Sequence, residues 1–117
     1  MERTPCYGSC QVYTIRLSAD GGVEYRGQAN VRRVGRHRGR LEPYVFQKLA
    51  ELAVDIGLFD LSDEYDCLVT DNPTAYVSVT RNGVRKTIRH YAPTATGPAR
   101  LRAFEETLDR YAGEIEW

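Results

Sequence analysis

The sequence predicts an α+β fold: an antiparallel sheet of about five strands with two amphipathic helices packed on one face. Two observations support this prediction. Two stretches alternate apolar and polar residues on either side of a hairpin turn, and each is followed by apolar residues at helical spacing. Strands joined by hairpins pair antiparallel, which leaves one face of the sheet free to bury the helices. The expected order is two or three strands, a helix, two strands and a second helix.

The first hairpin follows a cysteine-containing turn near the start of the chain. Residues 11–17 alternate as a half-buried strand does. Asp20-Gly21-Gly22 then supplies residues that tolerate positive φ, as a tight hairpin turn requires. Residues 23–27 continue the alternation in a second strand, and residues 31–34 suggest a short third strand with a basic outer face.

The first helix is predicted to begin at Pro43, since the first helical position does not need the N–H that proline lacks. Gly57 is suited to end it as a C-cap. Apolar residues recur between these two positions at the spacing of one helix face. They are Phe46, Leu49, Leu52, Ala53 and Ile56.

The second half of the chain repeats this order. Residues 74–80 and 84–91 alternate on either side of Asn82-Gly83, a strong hairpin signal. Gly97-Pro98 then opens a second helix, which Gly113 is expected to close. Its apolar stripe consists of Leu101, Phe104, Leu108 and Tyr111. We therefore expect a single domain over residues 1–117, with two hairpin–helix halves at 11–57 and 74–113.

The composition of the chain excludes few classes of protein. The formal net charge of the 117 residues is zero, so the chain as a whole has no charge that would attract nucleic acid or anionic lipid. No apolar run is long enough for a transmembrane helix. No apolar segment typical of a signal peptide follows Met1. We therefore expect a cytoplasmic protein if Met1 is the native start, and an exported protein if residues precede it.

Cys6 and Cys10 bracket a Tyr-Gly turn and leave four interpretations open. They could form a disulfide that pins the turn beside the first strand, remain reduced, bind a metal or act as a redox pair. A zinc site would need four ligands, and no second paired motif supplies the others. The third cysteine, Cys67, lies among acidic residues that would raise its pKa and weaken it as a nucleophile.

Positive charge is most concentrated over residues 32–40, which we call the basic ribbon. A ribbon of this kind can contact phosphates or other anions, although no aromatic residue interrupts it to stack on a base. A solvated edge strand whose charges prevent sheet-to-sheet association explains it equally well. The candidate anion contacts are Arg32, Arg33, Arg36, Arg38 and Arg40.

Two motifs resemble a bacterial family of domains of unknown function. The first is Arg-Thr-Pro-Cys-Tyr-Gly-x-Cys-x-x-Tyr, here Arg3 to Tyr13, and the second is Tyr-Asp-x-x-Val-Thr-Asp-x-Pro-Thr, here Tyr65 to Thr74. An Asp-Gly hairpin at Asp20-Gly21 completes the resemblance, and Gln11 replaces the proline usual after the second cysteine. The resemblance implies an often exported or lipid-anchored protein, for which a disulfide is suitable. It implies no activity.

The motifs lie on predicted loops and contain no coherent catalytic set. We therefore expect a non-catalytic domain that binds a protein or small-molecule partner, not nucleic acid, and that needs neither a cofactor nor a metal. Tyr7, Tyr65, Asp71 and Tyr91 are the candidate surface residues. The alternatives are a thiol-redox or metal-binding protein that uses Cys6 and Cys10, and an anion- or nucleic-acid-binding protein that uses the basic ribbon.

Overall fold

One mixed sheet and two helices make up the chain in a computed structural model that describes residues 1–68 and 71–115. Within those residues the strands are β1 (Glu2–Arg3), β2 (Val12–Leu17), β3 (Gly22–Ala29), β4 (Gly35–Arg40), β5 (Glu64–Tyr65), β6 (Thr74–Arg81) and β7 (Val84–Tyr91). The helices are α1 (Pro43–Asp55) and α2 (Ala99–Glu114), and a short 3-10 helix spans Leu58–Asp60. None of the helices in the described ranges is long and apolar enough to cross a membrane.

The strands lie in the order β4-β3-β2-β1-β6-β7-β5. All neighbours pair antiparallel except β5 and β7, which run parallel. The predicted α+β class is confirmed, whereas the purely antiparallel sheet of about five strands must be corrected to seven strands in a mixed sheet. The two strands that were missed, β1 and β5, have two residues each. Strands of this length cannot show an alternating pattern.

The third predicted strand was misplaced. Residues 31–34 form a loop after Asn30, whose φ of 56° turns the chain, and β4 begins only at Gly35. Val31 packs against the core and Val34 is exposed, so these valines do not mark a strand. The second helix also runs through Gly113, its predicted end, to Glu114.

Both helices bury their apolar faces against the same face of the sheet. Val45, Leu49 and Ala53 of α1 and Leu101, Phe104 and Leu108 of α2 form one cluster with Val77 and Ile88 of the sheet. Within the predicted α1 stripe, Leu49 and Ala53 are fully buried and Phe46, Leu52 and Ile56 are half-buried. Strand residues that alternate with the buried ones, such as Arg26 and Tyr76, lie on the opposite face.

A histidine–glutamate pair is buried beneath α2. His90 on β7 and Glu105 on α2 are both fully buried, and Nδ1 of His90 lies 2.7 Å from Oε2 of Glu105. Nε2 of His90 lies 2.7 Å from the carbonyl oxygen of Thr96. Burial opposes the charged ring, but the hydrogen bonds with Glu105 and Thr96 outweigh it and raise the pKa of His90. Nε2 of His90 donates to the Thr96 carbonyl, and the contact of Nδ1 with Glu105 favours the protonated ring.

Replacing Gly97 with alanine should destabilise the fold more than the same change at Gly83. Both residues have positive φ, 73° and 78°, so both variants incur a backbone cost of about 1 kcal/mol. A Cβ at Gly97 would also lie 2.7 Å from Nε2 of His90, whereas a Cβ at Gly83 would meet nothing within 4 Å. Disturbing a buried hydrogen bond should add roughly 1–3 kcal/mol in Gly97→Ala. Chemical denaturation measures the difference, and equal losses in the two variants would contradict it.

The His90–Glu105 pair should make stability depend on pH. Because the folded pKa of His90 is raised above 6.5, the pair stabilises the fold below pH 6.5, and this contribution is lost as pH rises through the folded pKa. Glu105→Gln leaves a buried imidazole without its carboxylate and should cost about 3–5 kcal/mol at acid pH.

The measurement is the free energy of unfolding of both proteins over a pH series, since their difference cancels the other titrating groups. The difference should shrink as pH rises, and NMR titration should give His90 a lower pKa in Glu105→Gln than in the wild type. A difference that stays constant with pH would show that His90 is not charged in the folded protein.

Candidate functional site

The two sequence motifs meet in the structure, although about fifty residues of chain separate them. Thr4, directly after β1, lies beside Thr74, the first residue of β6. The Thr4 N–H donates to the Thr74 carbonyl at 3.0 Å. The Thr74 N–H in turn donates to Oγ1 of Thr4 at 2.8 Å. This reciprocal pair fixes the cysteine turn against the Asp71–Asn72 turn.

The cysteine turn is closed covalently. Cys6 and Cys10 form a disulfide in the structure, so the disulfide interpretation is confirmed. In this state neither sulfur is a thiolate, the form that binds a metal or attacks as a nucleophile. The loop joins two strands, β1 and β2, and therefore lacks the helix N-terminus that lowers the thiol pKa in many redox pairs.

The facing turn is supported from β7. Asp71 has a φ of 62° and is exposed. The next residue, Asn72, donates its N–H to the Tyr91 hydroxyl at 3.3 Å. The Arg89 guanidinium lies 5.6 Å from the centre of the Tyr91 ring and covers it. Val69 and Thr70, which belong to the second motif, lie outside the described residues.

A shallow concavity of about 280 Å³ lies between the two turns, lined by Pro5, Cys6, Tyr7, Asp71 and Asn72. We call these five residues the motif surface. The Tyr7 side chain is 85% exposed at the tip of the disulfide loop. Two of the four predicted surface residues, Tyr7 and Asp71, therefore line one concavity, and Tyr91 supports it from below.

Tyr65 lies elsewhere. It pairs with His90 across the parallel β5–β7 contact, and its ring meets the His90 ring edge-on, with centroids 5.8 Å apart. Its hydroxyl accepts a hydrogen bond from the Ser62 N–H at 3.1 Å. Tyr65 packs against the main core and does not line the concavity.

The basic ribbon is divided between two places. Arg36, Arg38 and Arg40 alternate along β4 and are exposed on the face of the sheet without helices. Arg32 and Arg33 lie in the preceding loop, where they line a separate cavity of about 560 Å³. The five arginines are therefore not one contact surface.

Arg3 connects the first motif to α2 by an interaction that sequence reasoning missed. Its Nε and Nη2 donate to the two carboxylate oxygens of Asp109 at 2.8 and 2.6 Å, and the Tyr13 hydroxyl also donates to Asp109. We call Arg3, Tyr13 and Asp109 the Arg3 clasp. Burial and the Asp109 carboxylate raise the pKa of Tyr13, so this hydroxyl stays protonated and acts as a donor. Arg3 and Tyr13 belong to the quoted motif, but no pattern in the sequence links them to Asp109.

The fold and these contacts define a class: an α+β domain whose first strand lies inside the sheet and leads into a disulfide loop that lies beside the Asp71–Asn72 turn. A family model described as a domain of unknown function, DUF6438, matches residues 1–112, and the chain belongs to this family. No curated protein and no solved structure matches the chain significantly. The expectation that the chain belongs to a family of domains of unknown function is confirmed.

Thr4→Val should uncouple the two turns. Valine keeps the shape of threonine but cannot accept from the N–H of Thr74, which is buried, so the change should cost roughly 1–3 kcal/mol of stability. Thr80→Val, at an exposed position of the same sheet, is the control and should change stability by less than about 0.5 kcal/mol.

The measurements are chemical denaturation and hydrogen exchange at the Thr74 amide, which should exchange faster in Thr4→Val. NMR signals of Tyr7 and Asp71 should shift together. If Thr4→Val behaved as Thr80→Val does, the two motifs would be independent features of the fold.

Proposed function

We propose that this domain is a non-catalytic binding module that contacts a protein partner through the motif surface. The observation that carries the proposal is the side chain of Tyr7, which is 85% exposed at the tip of a loop closed by the Cys6–Cys10 disulfide. Exposed tyrosines are enriched at protein interfaces, where they supply apolar area together with a hydroxyl group.

The contacts that hold the disulfide loop in place favour binding without a large loss of conformational entropy. The disulfide closes the loop at its base, and the Thr4–Thr74 hydrogen bonds attach that base to β6. A side chain presented by a rigid loop loses less freedom on binding than one presented by a flexible loop. The motif surface is therefore already arranged for contact before a partner arrives.

The size of the concavity favours a protein over a small molecule. Sites for small organic ligands have volumes of roughly 300–1,000 Å³ and enclose most of the ligand. The concavity between the two turns holds about 280 Å³ and is shallow, which suits one side chain of a partner. The exposed carboxylate of Asp71 beside it favours a basic side chain.

The test places a photo-crosslinking phenylalanine analogue at Tyr7 and, in a matched control, at Tyr44, which is 56% exposed on α1. In cells that produce the tagged chain, position 7 should crosslink to a defined protein and position 44 should not. The crosslinked protein is then purified and its affinity for the wild-type chain is measured directly.

Tyr7→Ala should weaken this affinity by about tenfold or more, as expected for an aromatic residue at the centre of an interface. Tyr44→Ala should change it by less than about twofold, and neither variant should change the melting temperature appreciably because both side chains are exposed. Equal crosslinking from the two positions, or unchanged affinity in Tyr7→Ala, would refute the proposed interface.

A further inference from the structure

The sheet has an open slot at the end of β1 that lies away from the motif surface. β1 separates β2 from β6, and its hydrogen bonds with β2 extend back to Met1. Beyond this point β2 continues to Leu17 and β6 continues to Arg81. Two strands on either side of a third lie about 9.5 Å apart, which is twice the usual strand spacing. A cavity of about 710 Å³ is lined there by residues of both strands, and we call it the strand slot.

One wall of the strand slot is the edge of β2. Met1 and Ile15 exchange two backbone hydrogen bonds, of 2.7 Å from the Met1 nitrogen and 2.8 Å from the Ile15 nitrogen. Alternate residues of an antiparallel strand direct their N–H and C=O groups to the same edge, so this edge continues at Leu17. The backbone N–H and C=O of Leu17 therefore point into the slot.

The other wall is the edge of β6. The Thr74 carbonyl accepts from the Thr4 N–H, which places the even-numbered residues of β6 on the edge that faces β1. Beyond Tyr76, which pairs with β1, the same edge continues at Ser78 and Thr80. A peptide in the slot would therefore meet backbone donors and acceptors on both sides, as β1 does.

The strand slot is apolar on the side that faces the helices. Leu17 and Val79 line it from the sheet, and Phe46 and Ala50 line it from α1. All four side chains are half-buried, so each keeps surface that an added side chain can cover. Burial of a large apolar side chain against this surface is favourable.

The strand slot is basic on the opposite face of the sheet. Arg16 of β2 and Arg85 of β7 line it and are exposed, and the described lining has one carboxylate, that of Glu2. No ion pair between described residues involves either arginine. This face of the slot therefore has an excess of positive charge, and guanidinium groups bind carboxylates through charge-assisted hydrogen bonds.

The registers of β1 determine which side each residue of an added segment would face. Continuing them places the first position beyond Met1 opposite Arg16, on the open face, and the second opposite Leu17, on the helix side. The third position returns to the open face opposite Thr80, which pairs with Arg85. An acidic residue, a large apolar residue and a second acidic residue therefore complement these positions in turn.

We propose that the strand slot binds the C-terminal segment of a partner protein, which joins the sheet as a strand in line with β1 and carries an acidic–apolar–acidic sequence. A segment that runs antiparallel to both β2 and β6, as β1 does, has its C-terminal end at Met1. In strand addition, backbone hydrogen bonds supply affinity and pockets for alternate side chains supply specificity. The slot and the motif surface lie at opposite ends of β1, so this interaction is independent of the partner proposed for the motif surface.

The test is fluorescence polarisation of a labelled peptide that ends in Thr-Val-Glu-Ile-Glu, titrated with the full chain. One control peptide contains N-methyl-isoleucine, which lacks the N–H that would donate to the Leu17 carbonyl, and a second has serine in place of isoleucine. The first peptide should bind saturably, and each control should bind about tenfold or more weakly. No saturable binding, or equal affinity for either control peptide, would overturn the proposal.

Two double variants test the charged contacts. Arg16→Gln with Arg85→Gln should weaken binding of the first peptide by about tenfold or more. Arg36→Gln with Arg38→Gln removes the same charge from the same face of the sheet, but on β4, and should weaken binding by less than about twofold in salt that screens distant charges. Equal weakening in both variants would mean diffuse attraction to the basic face and would contradict binding in the slot.

Hydrogen exchange on the wild-type chain locates the peptide without any substitution, and so decides the question even if a variant fails to fold. The Leu17 and Ser78 amides should exchange more slowly when the first peptide is bound, because each gains a backbone acceptor. The Thr74 amide, which already donates to Thr4, is the control and should not change. Peptide binding without slower exchange at Leu17 and Ser78 would place the peptide elsewhere and refute the proposal.

Discussion

The first strand holds the two halves of the molecule together. Glu2 and Arg3 pair with Thr14 and Tyr13 of β2 on one side and with Tyr76 and Ala75 of β6 on the other. The two hairpins therefore share one sheet through a strand of only two residues. The Arg3 side chain extends this role to α2, since its bidentate contact with Asp109 is largely shielded, with the two side chains 17% and 28% exposed. Such a pair stabilises more than an exposed surface pair, because solvent screens it less.

The motif surface and the position of α2 both depend on this strand. Beyond its C-terminal end, Thr4 meets Thr74 and brings the disulfide loop to the Asp71–Asn72 turn. On the helix side, Arg3 donates two hydrogen bonds to Asp109 of α2. One short segment thus positions both the disulfide loop that carries Tyr7 and the helix that carries Asp109.

Patterns in the sequence predicted the turns and helix ends that depend on interactions between neighbouring residues. Asn82-Gly83 and the alternation beside it identified the second hairpin, and Pro43 identified the start of α1. Contacts between distant residues were not predictable. Nothing near Asp109 indicates that it binds Arg3, and a two-residue strand such as Glu2–Arg3 has no period. The alternation on β7 separates His90 from Tyr91, so Tyr65, which faces His90, lies apart from the surface that Tyr91 supports. Gly35, whose φ is 94°, likewise lies between Arg33 and Arg36 and divides the arginine ribbon.

The central position of β1 has a consequence for how the chain is made. Synthesis produces Glu2 and Arg3 before the rest of the sheet, and their partners on β6 follow only after about seventy further residues. β1 can pair with β2 early, yet its other edge stays open until the second hairpin has left the ribosome. Contacts between residues so far apart slow folding, and an open strand edge is prone to association with other chains. The nascent protein is therefore most vulnerable to aggregation in the interval before β6 can cover the open edge of β1.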